Sequence, residues 1–209
     1  MMATYHLTTP LQEKEIEALN VGDVVYLSGE AFTCRSRLHR YVFDEGHPSP
    51  QAALERDLLI HVGPIVLKEA DGTWRLVSFM PTSSIRFEKW GAKSVEAWGL
   101  KMIVGKTTMG EETMAMMREK KCVHVSPQCV SPNSWIDQIE IEGVELFDEL
   151  GTIEATWRMK IRELGPFVVD MDVKGNNLYK AHEAEVDSAK EAALKKLGIG
   201  PDYSYTKLY

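Results

Sequence analysis

Three short segments carry residue types that could do chemistry together, and each sits where an apolar run gives way to a turn. The first is Thr33-Cys34-Arg35-Ser36-Arg37-Leu38-His39. A helix beginning here offers free backbone N–H groups, and Arg35 adds a bidentate donor fork; the pair suits a carboxylate. Taken alone, the segment reads as readily as a capped surface helix with solvated arginines. The second is Pro81-Thr82-Ser83-Ser84-Ile85-Arg86. Three consecutive hydroxyls exceed what one N-cap needs, and Arg86 can fold back toward the same turn. An N-cap with redundant hydroxyls is the plainer account. The third is Gly105-Lys106-Thr107-Thr108. It resembles the end of a phosphate-binding loop, but Leu100 stands where that loop needs its first glycine, and Leu100 to Val104 reads as a strand. Lys106 at the end of a buried strand must still meet a partner or a ligand.

The remaining candidates carry less. His61, ahead of Gly63-Pro64, reads as a structural histidine. The six histidines show no metal spacing, and Met109, Met114, Met116 and Met117 read as helix core filler. Cys34, Cys122 and Cys129 form no Cys-x-x-Cys pair; scattered buried thiols are expected, with no cluster site in this chain.

The elements that must position these segments alternate. Glu13 to Leu19 reads as a short acidic helix, and Val24 to Leu27 as a strand ended by Gly29. Thr33 is expected to cap a helix from Cys34 to Phe43. Ile60 to Leu67 is strand, interrupted at Gly63-Pro64, and Asp71-Gly72 turns it into a hairpin with Trp74 to Phe79. A helix opens at Pro81 to Ser84, Met102 to Val104 is a short strand, Gly110 to Lys120 a helix, and Cys122 to Val125 a strand. Ile136 to Ile141, Ala155 to Ile161 and Phe167 to Val173 read as three more strands. Apolar residues at helical spacing from His182 to Leu197 predict a helix that closes the domain, with Gly198 as its stop. Interleaving of this kind predicts an α/β layered fold.

The chain has 209 residues, 44% of them hydrophobic, enough for one compact domain. A net charge of -7 argues against nucleic acid as the main partner. No apolar run reaches the ~18 residues a membrane span needs, and the first ten residues lack a signal-peptide pattern. The expected compartment is the cytoplasm.

The order of the motifs resembles the beta subunit, or C-terminal domain, of the iron–sulfur class I fumarate hydratase and L(+)-tartrate dehydratase family. Leu19-Asn20-Val21-Gly22-Asp23 into Val24 to Gly29 is similar to its opening. Thr33-x-Arg35-x-x-x-His39 resembles its Thr-Ala-Arg-Asp-x-x-His segment, and His61-Val62-Gly63-Pro64 its Tyr-x-Gly-Pro strand end. Pro81 to Arg86 resembles Gly-Pro-Thr-Thr-Ser-x-Arg, and Ile103-Val104-Gly105-Lys106 resembles Ile-Ile-Gly-Lys-Gly-Gly. Glu154-Ala155-Thr156-Trp157 and Val169 to Asn176 look like its closing strands.

The resemblance implies a single swivelling β/β/α domain over 1–209, with mixed sheet layers and flanking helices; the tail, 198–209, has aromatic residues without periodicity and is expected to order only against a partner. It implies a hydro-lyase acting on a small dicarboxylate of the fumarate/malate or tartrate type. Thr82 would be the base, assisted by Lys106, with Arg35, Ser83 and Arg86 on the substrate. An alpha subunit would hold a [4Fe–4S] cluster in a hetero-oligomer, with a homodimer as the form of the isolated chain. Departures, several of them beside the pocket, are Cys34 for Ala, Ser36 for Asp, Met80 for Gly, Ser83 for Thr, the bulky Ile85 for a small residue, and Thr107-Thr108 for Gly-Gly. They keep the charged set and alter its shape, which leaves open a non-catalytic, anion-binding module that retains the fold. A free-standing enzyme is the weakest reading, because no base or metal constellation is complete within the chain.

Overall fold

The computed structural model describes residues 2–127, 131–200 and 202–204; Cys129 and the tail from Tyr205 lie outside them. In chain order the elements are β1 (Thr4–Thr8), α1 (Glu13–Ala18), β2 (Val24–Cys34), α2 (Ser36–Phe43), α3 (Gln51–Glu55) and β3 (Leu58–His61). The hairpin β4 (Ile65–Lys68) and β5 (Trp74–Ser78) follows, then a 3-10 turn (Ser84–Phe87) into α4 (Glu88–Ala97). Next come β6 (Met102–Val104), α5 (Glu111–Lys120), β7 (Val123–Pro127), β8 (Ile139–Glu145), α6 (Phe147–Leu150), β9 (Thr156–Met171) and α7 (Leu178–Lys196).

Strands β1, β2, β3, β6 and β7 are parallel neighbours in that order. Strand β9 runs antiparallel to β7, β8 and β2, so β2, β3, β6, β7 and β9 form a closed ring of pairings. Side chains on a strand alternate between faces, and here both faces are buried. Leu58, Ile60, Met102, Val104, Val123 and Val125 point inward, against Trp157, Met159, Ile161 and Phe167 of β9. Leu59 and Ile103 point outward, under Leu38, Val95, Trp98 and Met117 of the helices. The result is two sheet layers and one helix layer, in keeping with the β/β/α expectation.

Four local expectations are corrected. Strand β2 passes through Gly29, which takes φ +102 at a register shift rather than ending the strand; a Cβ there would run into Thr9. Thr33 is a buried strand residue and caps nothing: its hydroxyl accepts the Trp157 N–H at 3.0 Å, and the helix begins at Ser36. The two strands expected between Ala155 and Val173 are one 16-residue strand. Helix α7 buries none of its residues and does not close the domain.

The helix layer holds an aromatic box around His39, whose ring lies stacked on Trp90 (centroids 5.7 Å apart, planes 2° apart) and near Phe87 and Trp98. Burial there pulls the His39 imidazole down to about 3. Burial, with His39 and His124 nearby, holds His61 well below its ordinary value too. Both are therefore neutral when folded and protonate more readily when unfolded. Folding stability should be level above about pH 6.5 and fall as pH drops below it, by ~1.4 kcal/mol per pH unit for each histidine. Urea titrations of the chain between about pH 6.5 and pH 5 should show this slope, and His39→Phe should remove about half of it. An unchanged slope in the variant would contradict the burial argument.

Candidate active site

The three segments converge because three parallel strands end side by side. Cys34 of β2 is in register with His61 of β3, and Ile60 of β3 with Val104 of β6. Arg35, Val62 and Gly105 therefore leave the sheet at one edge. Beyond that edge the chain from Thr82 to Ser84 inserts between the ends of β3 and β6. The Thr82 N–H donates to the His61 carbonyl at 2.6 Å, the Lys106 N–H to the Thr82 carbonyl at 2.9 Å, and the Ser84 N–H to the Lys106 carbonyl at 2.8 Å. Ser83 and Lys106 form an isolated parallel bridge.

Gly105 makes this insertion possible. A Cβ there would overlap Ser84 Oγ and sit 3.2 Å from the Thr82 carbonyl. Gly63 plays the same part for Arg35, since a Cβ there would lie 2.8 Å from Arg35 Nη1. Arg35 Nε is buried without a hydrogen bond, 3.6 Å from Glu154 Oε1. The other oxygen of Glu154 accepts the Arg37 N–H at 2.7 Å. Glu154 thus ties the start of α2 and the Arg35 guanidinium to the approach to β9. Arg37 itself points away and pairs with Glu45 on the surface.

Thr82, Ser83 and Lys106 are half-buried, whereas Arg86 is exposed within the 3-10 turn. Of the five expected residues, Thr82 and Lys106 are joined by a backbone hydrogen bond, Ser83 is the bridge position opposite Lys106, Arg35 stands on the same edge two strands away, and the Arg86 N–H donates to the Ser83 carbonyl at 3.4 Å.

Beneath this surface lies a buried polar chain that sequence reasoning passed over. His61 Nδ1 lies 2.8 Å from Ser84 Oγ, and His124 Nε2 lies 2.8 Å from the same oxygen. His124 Nδ1 faces both oxygens of Asp170 at 2.8 and 2.9 Å. A carboxylate only accepts, so His124 donates from Nδ1 and its Nε2 accepts the Ser84 hydroxyl proton. Ser84 then accepts from His61 Nδ1, leaving His61 Nε2 as a buried acceptor without a partner. Ser126 bonds Asp170 and the Thr107 carbonyl. Thr107 holds φ 62, the left-handed region that a β-branched residue enters only under constraint. The signal was present: His124 and Asp170 are polar residues inside otherwise apolar strand runs. Glu154 belonged to a quoted motif but had been given no role.

Among the described residues no group of three or more His, Cys, Asp or Glu side chains could hold a metal. Cys34 and Cys122 are buried separately, and burial pushes both thiols up, away from the thiolate a metal needs.

Comparison with known proteins bears on the same segments. The model of the Fumarase C-terminus family matches residues 2–182. The chain is 38% identical over 173 residues to L(+)-tartrate dehydratase subunit beta of Escherichia coli (strain K12), covering 82% of this chain and 85% of that one. It is 34% identical over 192 residues to "Putative fumarate hydratase class I" of Geobacillus stearothermophilus, covering 91% of this chain and 35% of that longer protein.

The overlap at Gly105 gives a stability test. Ser84→Ala strands His61 Nδ1 and His124 Nε2 in the interior and should cost ~1–3 kcal/mol per group. Gly105→Ala alone should cost ~1–3 kcal/mol or more from overpacking. In the double variant the missing hydroxyl leaves room for the new methyl, so denaturant unfolding should give a total smaller than the sum. Strict additivity would mean that Ser84 does not press on Gly105.

Proposed function

The chain belongs to the Fumarase C-terminus family, and on that footing we propose that it is the beta subunit of a two-component hydro-lyase acting on a small dicarboxylate. The observation that carries the reading is the inserted segment: it sets Thr82 and Ser83 against Lys106 at the edge where Arg35 emerges. A hydroxyl, a cation and an arginine fork are what reversible hydration of a dicarboxylate asks of one half of a site.

A dicarboxylate carries two negative charges, and Arg35, Arg86 and Lys106 supply matching donors. Arg35 takes one carboxylate through its planar fork, held by Glu154 and by the space at Gly63. Arg86, exposed at the mouth, takes the other. Ser83, bridged to Lys106, adds a hydroxyl. Thr82 accepts the proton alpha to a carboxylate. A threonine hydroxyl is a weak base unless its oxyanion is stabilised, and Lys106 and Arg86 provide positive charge for that. A [4Fe–4S] cluster in the alpha subunit would supply the Lewis acid toward the leaving hydroxyl. The relative's name, a beta subunit, supports the reading in which the alpha subunit is the second half of the active site and the functional form is a hetero-oligomer. We place that complex in the cytoplasm, where buried free thiols persist.

In the complex co-expressed with an alpha subunit, Thr82→Ala should lower kcat by ~100-fold or more while leaving KM nearly intact. Arg86→Lys keeps the charge but loses the fork, and should weaken substrate binding by ~1.5–3 kcal/mol. Arg37→Ala, a surface control, should change neither. Normal turnover by Thr82→Ala would make Thr82 a structural residue and move proton transfer elsewhere. Absence of any dicarboxylate binding or turnover in the complex would favour a non-catalytic anion-binding module. Robust activity of this chain by itself would remove the need for the partner.

The role of Glu154 can be read separately. Glu154→Gln keeps the hydrogen bond acceptor for Arg37 N–H but removes the charge beside Arg35. It should raise KM by several-fold with a smaller change in kcat, and unfolding midpoints should move little. A change confined to stability would mean that Glu154 only ties α2 to β9.

A further inference from the structure

Helix α7 is out of keeping with the rest of the molecule. It runs for 19 residues and buries none of them. An isolated helix of this length is marginal in water, and most helical stability in proteins comes from packing one face. Its root is anchored: the Asn177 side chain accepts the N–H groups of Tyr179 and Lys180, donates to Thr108 Oγ1 at 3.0 Å, and Lys180 pairs with Glu111. Beyond the root the described residues that lie against it are those of the segment after Gly198, on one side. The family match ends at residue 182.

The helix is nonetheless amphipathic. Tyr179, His182, Val186, Ala189, Ala193 and Leu197 fall within about 80° of arc at 100° per residue, with the spacing of a two-helix seam. Tyr179, Val186 and Leu197 are 48%, 63% and 72% exposed. The chain that follows Gly198 returns along the other side, where Asp187, Leu194, Ile199 and Tyr203 border a groove. The seam residues Tyr179, His182, Val186, Ala189, Ala193 and Leu197 are exposed.

Charge along the seam selects the occupant. The first half of the helix holds Lys180 against Glu183, Glu185 and Asp187; the second holds Lys190, Lys195 and Lys196 against Glu191. On the helical wheel Glu183 and Lys190 line one edge of the seam, and Glu185 and Lys196 line the other. Both edges run from acidic to basic. A parallel copy would set like charges together and crowd two globular bodies at one end. An antiparallel copy sets each acidic half against a basic half, and ~28 Å of helix keeps the bodies at opposite ends. The small side chains of Ala189 and Ala193 at its middle let two backbones approach closely.

We infer that α7 is a self-association element, pairing antiparallel with α7 of a second copy of this chain about a two-fold axis near its centre. The contact is isologous, as a closed dimer requires, and it leaves the edge carrying Thr82 and Lys106 outside the pairing. It does not depend on the proposed hydro-lyase activity.

The experiment is light scattering or sedimentation of the purified full chain across a concentration series, with circular dichroism as a check on folding. The wild-type chain should approach twice its 23.6 kDa mass as concentration rises. Val186→Glu, at an exposed position, should keep the fold and hold the chain at monomer mass. Charge reversal gives the stricter test. Glu183→Lys with Glu185→Lys should weaken the dimer, as should Lys190→Glu with Lys196→Glu. All four together should restore it, because antiparallel pairing again meets opposite charges. A wild-type chain that stays monomeric throughout overturns the assignment. So does a dimer indifferent to Val186→Glu, or a fourfold variant no better than the two double variants.

Discussion

Three backbone hydrogen bonds hold the Thr82–Ser84 segment between the diverging ends of β3 and β6, and the candidate site depends on them. The segment takes the place a strand would occupy if the sheet continued. It can do so only because residue 105 has no side chain, since the space of a Cβ is filled by the Ser84 hydroxyl. Backbone groups left bare at strand ends are costly when buried. Here the carbonyl of His61 and both backbone groups of Lys106 are satisfied by a loop that also presents hydroxyls. Positioning and satisfaction are the same set of contacts.

The layer below makes that loop rigid at some expense. Asp170, His124, Ser84 and His61 form one chain of hydrogen bonds in a region fully closed to water. Each bond polarises the next, and the chain's direction is set at Asp170, which can only accept. The chain is incomplete at its far end, where His61 Nε2 has no partner, and His39 Nε2 nearby also has none. A bare imidazole nitrogen is tolerable only while the ring is neutral, which agrees with the depressed protonation of both rings. Asp170 also governs the other side of the site, through Ser126 and the Thr107 carbonyl. One buried carboxylate therefore braces both the hydroxyl-bearing loop and the turn after Lys106.

Strand β9 closes the frame. Its first part lies between β2 and β8, and its last part between β2 and β7. Exchanging neighbours along one strand requires a bend, and the register shifts of β2 against β9, between Val25 and Gly29, occur where that exchange is made. Glu154 precedes the strand and Asp170 is near its end. The same element thus supports Arg35 at one extremity and the buried chain at the other.

Much of this was legible in the residues. Short apolar runs bounded by turn residues, Leu58–Ile60 and Met102–Val104, read as strands buried on two sides, as β3 and β6 are, and strand alternating with helix requires layers. Arg35, Thr82, Ser83 and Lys106 stood out because charged or hydroxyl groups at strand ends have to be used. What the sequence could not carry was pairing across distance. Gly29 read as a stop because a local rule cannot tell a bulge from an end; the difference is whether another strand continues alongside. The stretch between Ile161 and Phe167 read as a gap between two strands for the same reason, although β2 pairs on both sides of it, at Leu164 and Phe167. Thr33 read as a cap because its true partner, the Trp157 N–H, lies 124 residues away. The bond from His124 to Asp170 spans 46 residues and that from Ser84 to His124 spans 40. Local propensity and spacing determine which residues must be buried or exposed. Only the closed ring of strands decides which buried polar groups meet, because hydrogen bonds depend on position in space and not on order along the chain.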